Sequence, residues 1–349
     1  MTRTLIIVAG VGAVALTMPA TPALGQNWIN FVNETSTRLV ADASLALNDV
    51  QEKDYGYADF DHDGDVDLVI VRKTPFSVAG RQRCVLLMNE GIAQGQPING
   101  VLVDRTAQYG SAATDGGQGL LDLTDNRDVV IVDVNNDGWE DFVTATTYGN
   151  GLPKTISHPR VYMNLGAPGG TWLGFRYEES RFPNLGGHPN FCGVGAGDVT
   201  GDKVPDLYFV DYDRIVDSPF DDRLLINNGS GVFSDQTNTR VSTAFSTSSF
   251  GTTSNISDMN GDGKADIVKS ENGPVKTSYN NGTGFFTGSF QSTYSGAAYH
   301  SSLGDLNGDG RMDIIISDDS TDRYLLNTTP GGASQASFSN LTLPNSTGF

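Results

Sequence analysis

Five copies of one nine-residue acidic loop carry side chains that bind hard cations. The copies begin at Asp59, Asp133, Asp198, Asp258 and Asp305, and read DFDHDGDVD, DVNNDGWED, DVTGDKVPD, DMNGDGKAD and DLNGDGRMD; we number them loops one to five. Each places an oxygen-bearing side chain at positions 1, 3, 5 and 9. This pattern suits calcium before other ions, so the sequence predicts about five structural Ca²⁺ sites.

Loop five shows how one site would be built. Asp305, Asn307 and Asp309 alternate along an extended stretch that curls round the ion, and Asp313 closes the shell with both oxygens. Position 7 is expected to offer its backbone carbonyl, which leaves its side chain free to vary. Gly310 at position 6 permits the positive φ of a tight reversal.

The predicted metal ligands occupy positions 1, 3, 5, 7 and 9 of every loop. They are Asp59, Asp61, Asp63, Asp65 and Asp67; Asp133, Asn135, Asp137, Trp139 and Asp141; Asp198, Thr200, Asp202, Val204 and Asp206; Asp258, Asn260, Asp262, Lys264 and Asp266; and Asp305, Asn307, Asp309, Arg311 and Asp313. Loop three departs from the pattern, because Lys203 replaces the position-6 glycine and Thr200 is a weaker ligand. We expect strain or a different turn there.

Two other interpretations fit the loops less well. Asp, Asn and Gly favour ordinary turns, but five copies in one register argue against turns alone. An EF-hand starts similarly, yet it needs an acid at position 12 and flanking helices. Here short apolar runs such as LVIV from Leu68 and FVTA from Phe142 follow instead. Runs of this kind predict strands buried on both faces.

A larger repeat surrounds each loop. Loop starts are 47 to 74 residues apart, which is typical of propellers or arrays. Downstream blocks such as RLLINNGSGVF from Arg223 join an apolar run to Asn-Gly and an aromatic strand, a hairpin signature. The unit is strand, calcium loop, strand, strand, hairpin turn, strand. The fold prediction is all-β: a β-propeller of four-stranded blades, with five blades visible.

These motifs resemble FG-GAP or VCBS-type repeats, the calcium-loop blades of the integrin α-chain head and of many secreted bacterial proteins. The resemblance covers nearly the whole chain after residue 25, and the consensus D-x-[DN]-x-D-G-x-x-D fits four copies. It implies a propeller and metal sites. It does not imply one ligand, because such propellers serve adhesion, lectin-like binding and, less often, catalysis.

The N-terminus predicts export. Arg3, the apolar stretch from Leu5 to Thr17 and the small-x-small site Ala23-Leu24-Gly25 together form a signal-peptide pattern. The predicted domains are therefore a signal peptide at 1–25 and a propeller at 26–349, with an uncleaved anchor as the alternative. We expect a secreted or cell-surface protein, or a periplasmic one, with no transmembrane segment after signal removal.

The net charge limits the classes of binding partner, and the two cysteines raise the question of a disulfide. The formal net charge of −19 argues against nucleic acid and anionic membranes. The loops hold 18 of the 41 acidic residues, so much of the acidity is metal ligation. Cys84 and Cys192 could form a disulfide in an exported protein, but we favour buried free thiols.

The predicted function is a calcium-binding adhesion or binding module for an extracellular protein or glycan. The alternatives are an extracellular polysaccharide lyase or hydrolase on the same scaffold, or a purely architectural protein. No nucleophile motif accompanies the histidines, so no catalytic residue is assigned. Trp139 could stack on a sugar or pack on the next blade. Candidate recognition insertions are 92–100, 146–158 and 213–222.

The chain ends suggest one more hypothesis. Residues 28–39 resemble an outer strand that ends a blade, and residues 346–349 resemble the entry to another. The chain is then a fragment of a six- or seven-bladed ring. The alternative is a complete five-bladed ring.

Overall fold

The fold is mostly β, as predicted, with 9% of the described residues helical. The computed structural model describes residues 4–7, 14–17, 33, 35–41, 51–74, 80–90, 100–147, 152–187, 189–212, 220–247, 250–271, 273–344 and 346. Residues Met1–Thr37 and Arg38–Phe349 form two compact units. Within the first unit, β1 (Thr4–Ile7) pairs antiparallel with β2 (Val14–Thr17). The signal peptide stays a prediction.

The second unit contains four sheets, whose strands are as follows. The first has β3 (Leu39–Val40), β4 (Glu52–Ala58), β5 (Asp67–Lys73), β6 (Val85–Asn89) and β7 (Leu102–Asp104). The second has β8 (Ala112–Ala113), β9 (Asn126–Val132), β10 (Asp141–Thr146), β11 (Arg160–Asn164) and β12 (Phe175–Tyr177). The third has β13 (Phe191–Gly197), β14 (Asp206–Asp211), β15 (Arg223–Asn227) and β16 (Phe233–Asp235). The fourth has β17 (Thr253–Ser257), β18 (Asp266–Ser270), β19 (Gly273–Ser278), β20 (Gln291–Gly304), β21 (Asp313–Asp318), β22 (Arg323–Asn327) and β23 (Phe338–Thr342).

Helices are short. They are α1 (Thr35–Arg38), α2 (Thr106–Tyr109), α3 (Lys154–Ser157), α4 (Thr237–Arg240) and α5 (Thr243–Ser246), with 3₁₀ turns at Gly119–Leu121 and Glu179–Arg181. No described helix has the length and apolar character needed to cross a bilayer.

Strand order within the sheets follows the predicted unit. Each loop joins the first strand of a meander to the second, as between β13 and β14, and the next two strands continue antiparallel. In the fourth sheet, β20 is 14 residues long and serves two meanders. It pairs with β19 between Gln291 and Ala298 and with β21 between Ala298 and Gly304. One continuous strand thus merges the last two predicted units into a seven-stranded sheet.

Successive sheets pack face to face through the strand that follows each loop. In β10, Val143 and Ala145 join a core cluster with Leu207 and Phe209 of β14. Phe142, on the opposite face of β10, packs in another cluster with residues of the first sheet. Alternate residues of a strand point to opposite faces, so an uninterrupted apolar run serves two interfaces. This is why β10, β14 and β18 are buried along their whole length.

A buried asparagine at or just after the end of the third strand ties four of the five described meanders to the meander before them. The Nδ2 of Asn227 donates to the carbonyl of Val134 in loop two at 2.8 Å and to that of Pro205 in its own loop at 3.0 Å. Asn164, Asn280 and Asn327 bridge in the same way to Phe60, Val199 and Met259. The sequence places these residues in hairpin signatures, but their bridging depends on sheet packing.

Small residues allow the first strands of the meanders to approach closely. A Cβ on Gly193 of β13 would lie 2.8 Å from the Thr253 Cα and 2.9 Å from the Thr252 carbonyl oxygen. Backbone atoms cannot yield as side chains can, so glycine is required there. The GVGAG run at 193–197 thus lies close against the neighbouring first strand.

Two sequence predictions need comment. Of the predicted outer strand at 28–39, the described part is mostly helix α1, and only Leu39 lies in a strand; that strand pairs parallel with β7, so the prediction is wrong there. The insertions at 92–100 and 213–222 and the segment at 346–349 lie largely outside the described residues. Cys84 and Cys192 are both buried free thiols, as favoured.

Candidate functional site

The first carboxylate of each loop shapes the turn through backbone N–H groups. Asp305 accepts hydrogen bonds at Oδ1 from the N–H of Gly308 (2.7 Å) and Asp309 (3.1 Å), and at Oδ2 from Gly310 (2.8 Å). The Asp309 Oδ1 in turn accepts the N–H of Arg311 at 3.0 Å. Equivalent bonds recur in the other loops, so the five acidic loops share one backbone conformation.

Two positions in every loop adopt positive φ. Position 6 is Gly64, Gly138, Lys203, Gly263 or Gly310, and Lys203 has φ +69°, as the predicted strain requires. Position 4 is His62, Asn136, Gly201, Gly261 or Gly308, all with positive φ. Sequence reasoning missed position 4, although glycine in three of five copies was a visible signal. A non-glycine residue in this region costs about 1 kcal/mol.

The last carboxylate of each loop is buried and accepts two backbone N–H groups. Asp266 Oδ2 accepts the N–H of Met259 at 3.0 Å, and Oδ1 accepts that of Asn280 at 2.9 Å. Burial, partly offset by these bonds, raises the pKa of Asp67, Asp141 and Asp266 to about 7 and that of Asp206 to about 6. Position 9 therefore anchors the loop to the sheet as well as facing the other acids.

Loop one has the strongest signs of a cation site. Ligand oxygens of Asp59, Asp61 and Asp67 all lie within 4.8 Å of one another, the one such group of three acidic, His or Cys side chains among the described residues. Asp65 is only 8% exposed, and neither of its oxygens has a hydrogen-bond partner in the described part of the chain. Burial, with the charges of Asp63, Asp61 and Asp59, raises the Asp65 pKa to about 6. An orphaned buried carboxylate among other acids fits a bound cation.

The side chain at position 7 makes specific contacts in the structure, although the sequence predicted a role only for its backbone carbonyl. Lys264 Nζ lies 3.5 Å from Asp262 Oδ2, and Arg311 Nη2 lies 2.6 Å from Asp309 Oδ2, so both cations contact the position-5 acid of their own loop. Trp139 stacks on the His62 ring of loop one, with ring centroids 4.1 Å apart. The Trp139 side chain therefore packs on loop one, which was the predicted alternative to stacking on a sugar. The Trp139 ring also covers one face of His62.

A second feature, which sequence reasoning missed, is a cavity of about 200 Å³ among the first strands of the meanders. Its lining comes from residues five and six positions before each loop: Lys53, Asp54, Arg127, Asp128, Cys192, Thr252, Thr253, Tyr299 and His300. The repeated offset from the loop starts was the available signal. This shared offset becomes visible only when the five repeats are aligned on their loops.

The cavity brings two carboxyl groups together. Asp54 Oδ2 accepts the N–H of Val129 at 3.1 Å, and Asp128 Oδ2 accepts that of Val194 at 2.7 Å. Burial and a hydrogen bond with Asp54 raise the pKa of Asp128 well above its usual range. Burial and the neighbouring carboxyl group thus both disfavour the charged form of Asp128.

Basic and aromatic groups complete the lining. Arg127 donates to Cys192 Sγ at 3.0 Å and to Tyr299 Oη at 3.2 Å, and the Tyr299 side chain is 46% exposed. Burial lowers the pKa of His300, which keeps its imidazole neutral. The cavity thus combines hydrogen-bond donors, acceptors and one aromatic face.

A contact between a serine and a histidine elsewhere does not make a nucleophile. Ser157 Oγ lies 2.9 Å from His158 Nδ1, and both residues are buried. The N–H of Leu185 donates to His158 Nε2 at 3.4 Å, which places the ring proton on Nδ1. His158 then donates to the serine and cannot take its proton.

Known proteins resemble the chain as follows. A family model described as FG-GAP-like repeat matches residues 198–269 and 258–316. No curated protein matches the chain.

Three solved structures are similar to the chain. An Agrocybe aegerita lectin that recognises non-reducing terminal N-acetylglucosamine is 21% identical with a TM-score of 0.46, covering 83% of this chain and 66% of the lectin. The V. cholerae biofilm matrix protein Bap1 is 14% identical with a TM-score of 0.40, covering 89% and 43%. A Photorhabdus luminescens Tc holotoxin pore chain is 17% identical with a TM-score of 0.35, covering 85% and 13%. The chain thus spans two thirds or less of each of these proteins.

Proposed function

We propose that the protein is a secreted, calcium-stabilised β-propeller that acts as a binding or adhesion module. Its residues 198–316 match FG-GAP-like repeats. Calcium is structural and pins the turn between the first two strands of each meander. The ligand is an extracellular protein or glycan.

The observation that carries the calcium proposal is the unpartnered, buried carboxylate of Asp65 beside three other acids in loop one. Without a cation these like charges repel one another, and burial adds a desolvation cost. A bound Ca²⁺ would offset both. The other loops share the backbone of loop one, which extends the proposal to about five ions.

The propeller proposal is supported by the packing of consecutive sheets. The second, third and fourth meanders each present one face to the meander before them and one to the meander after them, and five first strands line one cavity. Radial repetition of such sheets around an axis would satisfy both faces of every buried strand. Export would place the protein where calcium is abundant.

A thermal melt with calcium and with chelator tests the metal. At ~1 mM calcium and a Kd of ~10⁻⁴ M, each site would add about 1.4 kcal/mol to the free energy of unfolding. We expect a large rise in Tm with calcium and about five ions in the native protein. An unchanged Tm together with no bound metal would reduce the loops to acidic turns.

Asp309→Ala tests a single loop. We expect one ion fewer and a lower Tm in calcium, because Asp309 supplies the position-5 oxygen of loop five. Asp319→Ala is the matched control, since Asp319 is exposed and outside the loops. Unchanged stoichiometry in Asp309→Ala would mean that loop five binds no ion.

A second candidate function, polysaccharide hydrolysis, is favoured by the Asp54–Asp128 pair, which lies outside the calcium loops. Glycosidases generally hold their two carboxyl groups roughly 5 to 9.5 Å apart, whereas these two are hydrogen-bonded to each other. Hydrolysis is therefore less favoured than the binding-module function. Release of reducing sugar from a polysaccharide panel, lost in Asp128→Asn, would reverse the order.

A further inference from the structure

In the strand-lined cavity, residues from the first strands of all five described meanders converge outside the loops. We propose that this cavity binds a single sugar residue, such as the terminal residue of a glycan, through the Asp54–Asp128 pair and the Tyr299 ring. This inference rests on the proposed binding function and assigns it a location and a ligand class.

The volume of the cavity limits the size of its ligand. The volume of about 200 Å³ lies below the roughly 300–1,000 Å³ of pockets for drug-sized ligands. A peptide or an oligosaccharide would not fit inside it, whereas one small polar unit would. The lining is more polar than apolar, so that unit must be able to form many hydrogen bonds.

The residues that line the cavity favour a ligand with several hydroxyl groups. A hydrogen-bonded pair of carboxyl groups contains both a donor and acceptors, and Thr252 and Thr253 line the same cavity. Each sugar hydroxyl is likewise a donor and an acceptor, so the two sets of groups match. The backbone N–H groups of Val129 and Val194 hold the two carboxyl groups in place, which reduces the entropy lost on binding.

Tyr299 supplies an apolar face at the cavity wall. Its side chain is 46% exposed, and the hydrogen bond from Arg127 to its hydroxyl limits its movement. An aromatic ring of this kind can pack against the C–H face of a pyranose while its hydroxyl stays polar. No other aromatic side chain lines the cavity among the described residues.

Ions fit the cavity less well. A metal ion would need several ligand atoms close together, and within the described residues only Asp59, Asp61 and Asp67 meet a 4.8 Å limit. A small anion would meet Arg127 and Lys53, but it would also lie against the carboxyl pair. A neutral polyol avoids both conflicts.

The test uses calcium-loaded full-length protein and the methyl glycosides of glucose, galactose, mannose and N-acetylglucosamine. Saturation-transfer NMR would identify binding, and calorimetry would give Kd. We expect at least one glycoside to bind with a Kd of ~1 mM, about −4 kcal/mol. Asp128→Asn and Tyr299→Ala should each weaken binding tenfold or more, whereas Asp319→Asn should not change it.

Several outcomes would overturn the proposal. They are no binding by any of the four glycosides, binding that survives both variants, stronger binding of acetate than of any sugar, or turnover of a bound glycan. Tyr299→Ala keeps the test decisive if Asp128→Asn does not fold, because Tyr299 is partly exposed. Calcium stoichiometry is measured on the same sample, so failure of the sugar site is distinguishable from failure of the calcium-module proposal.

Discussion

The side chain at position 7 differs in charge from loop to loop, although the backbone around it is the same. In loop one it is Asp65, a buried acid with no partner among the described residues. In loops four and five it is Lys264 or Arg311, each of which contacts the position-5 acid. A fixed cation on a ligand carboxylate competes with a metal ion, whereas an extra acid attracts one. Position 7 should therefore rank the loops by calcium affinity, with loop one the tightest.

Asp65→Asn should weaken the tightest calcium site about tenfold, because affinity follows the number of charged ligands. Arg311→Gln should have the opposite effect and tighten one of the weaker sites. Calorimetric titration against a competing chelator measures both, with Asp319→Asn as the control. Equal affinities for all sites in the unmodified protein would contradict the ranking.

Lys203→Gly should stabilise the protein by about 1 kcal/mol, since Lys203 has φ +69° and glycine adopts that conformation without strain. The matched control is Lys264→Gly, which lies one position later in its own loop and lacks a positive φ. Chemical denaturation in calcium would show the gain for the first variant and a loss for the second. A loss in both would mean that the Lys203 side chain contributes more than its backbone costs.

At the scale of strands and sheets, the bridging asparagines hold consecutive meanders together. Asn227 is 3% exposed, and its Oδ1 accepts the N–H groups of Gly229 and Gly231 at 3.1 and 3.0 Å. Its Nδ2 donates to carbonyl groups of two different loops. One side chain therefore fixes a hairpin turn, its own acidic loop and the loop of the preceding sheet.

Asn227→Ala should lower the free energy of unfolding by about 3 kcal/mol, because it leaves buried backbone groups without partners. Asn228→Ala is the control: Asn228 is exposed, its Oδ1 bonds stay within the turn at 3.0 and 3.3 Å, and its loss should cost about 1 kcal/mol or less. Denaturant midpoints distinguish the two. Similar small losses would show that water replaces the Asn227 bonds.

For the molecule as a whole, the cavity depends on strands that are far apart in sequence. Asp54 and Asp128 lie on β4 and β9, Cys192 on β13, Thr253 on β17 and His300 on β20. The same register of each strand points inward, so the repeat that produces the loops also produces the cavity. Only the side chains differ, which gives the lining its asymmetry and its proposed selectivity.

Asp128→Asn should raise stability at pH 8 more than at pH 5. The raised pKa of Asp128 means that its contribution is fully present at low pH and is lost as pH rises through the folded-state pKa. The groups facing it are Asp54, Lys53, Arg127 and His300. Asparagine stays neutral, so the difference in Tm between variant and wild type should grow with pH. A constant difference would mean that Asp128 is ionised throughout.

The sequence by itself determined the all-β class, the five loops, the strand order and the strain at Lys203. Each follows from local physics: side chains alternate along a strand, and glycine alone adopts positive φ without cost. Loop periodicity also placed every candidate metal ligand in one register, although the metal remains a prediction. Nothing in a single loop, however, showed that position 7 could carry an unpartnered acid in one copy and an internal counter-cation in another.

Tertiary structure alone decided which groups meet across sheets. The Asn227 bridge and the stacking of His62 on Trp139 join residues that local pattern cannot relate. The loop repeat aligns Asp54 with Asp128 in sequence, but only packing brings the two carboxyl groups into contact. Burial likewise raised the pKa of Asp128, which composition would count as an ordinary surface acid. These properties arise because packing removes water and brings distant strands to one register, and a one-dimensional pattern contains neither distance nor solvent.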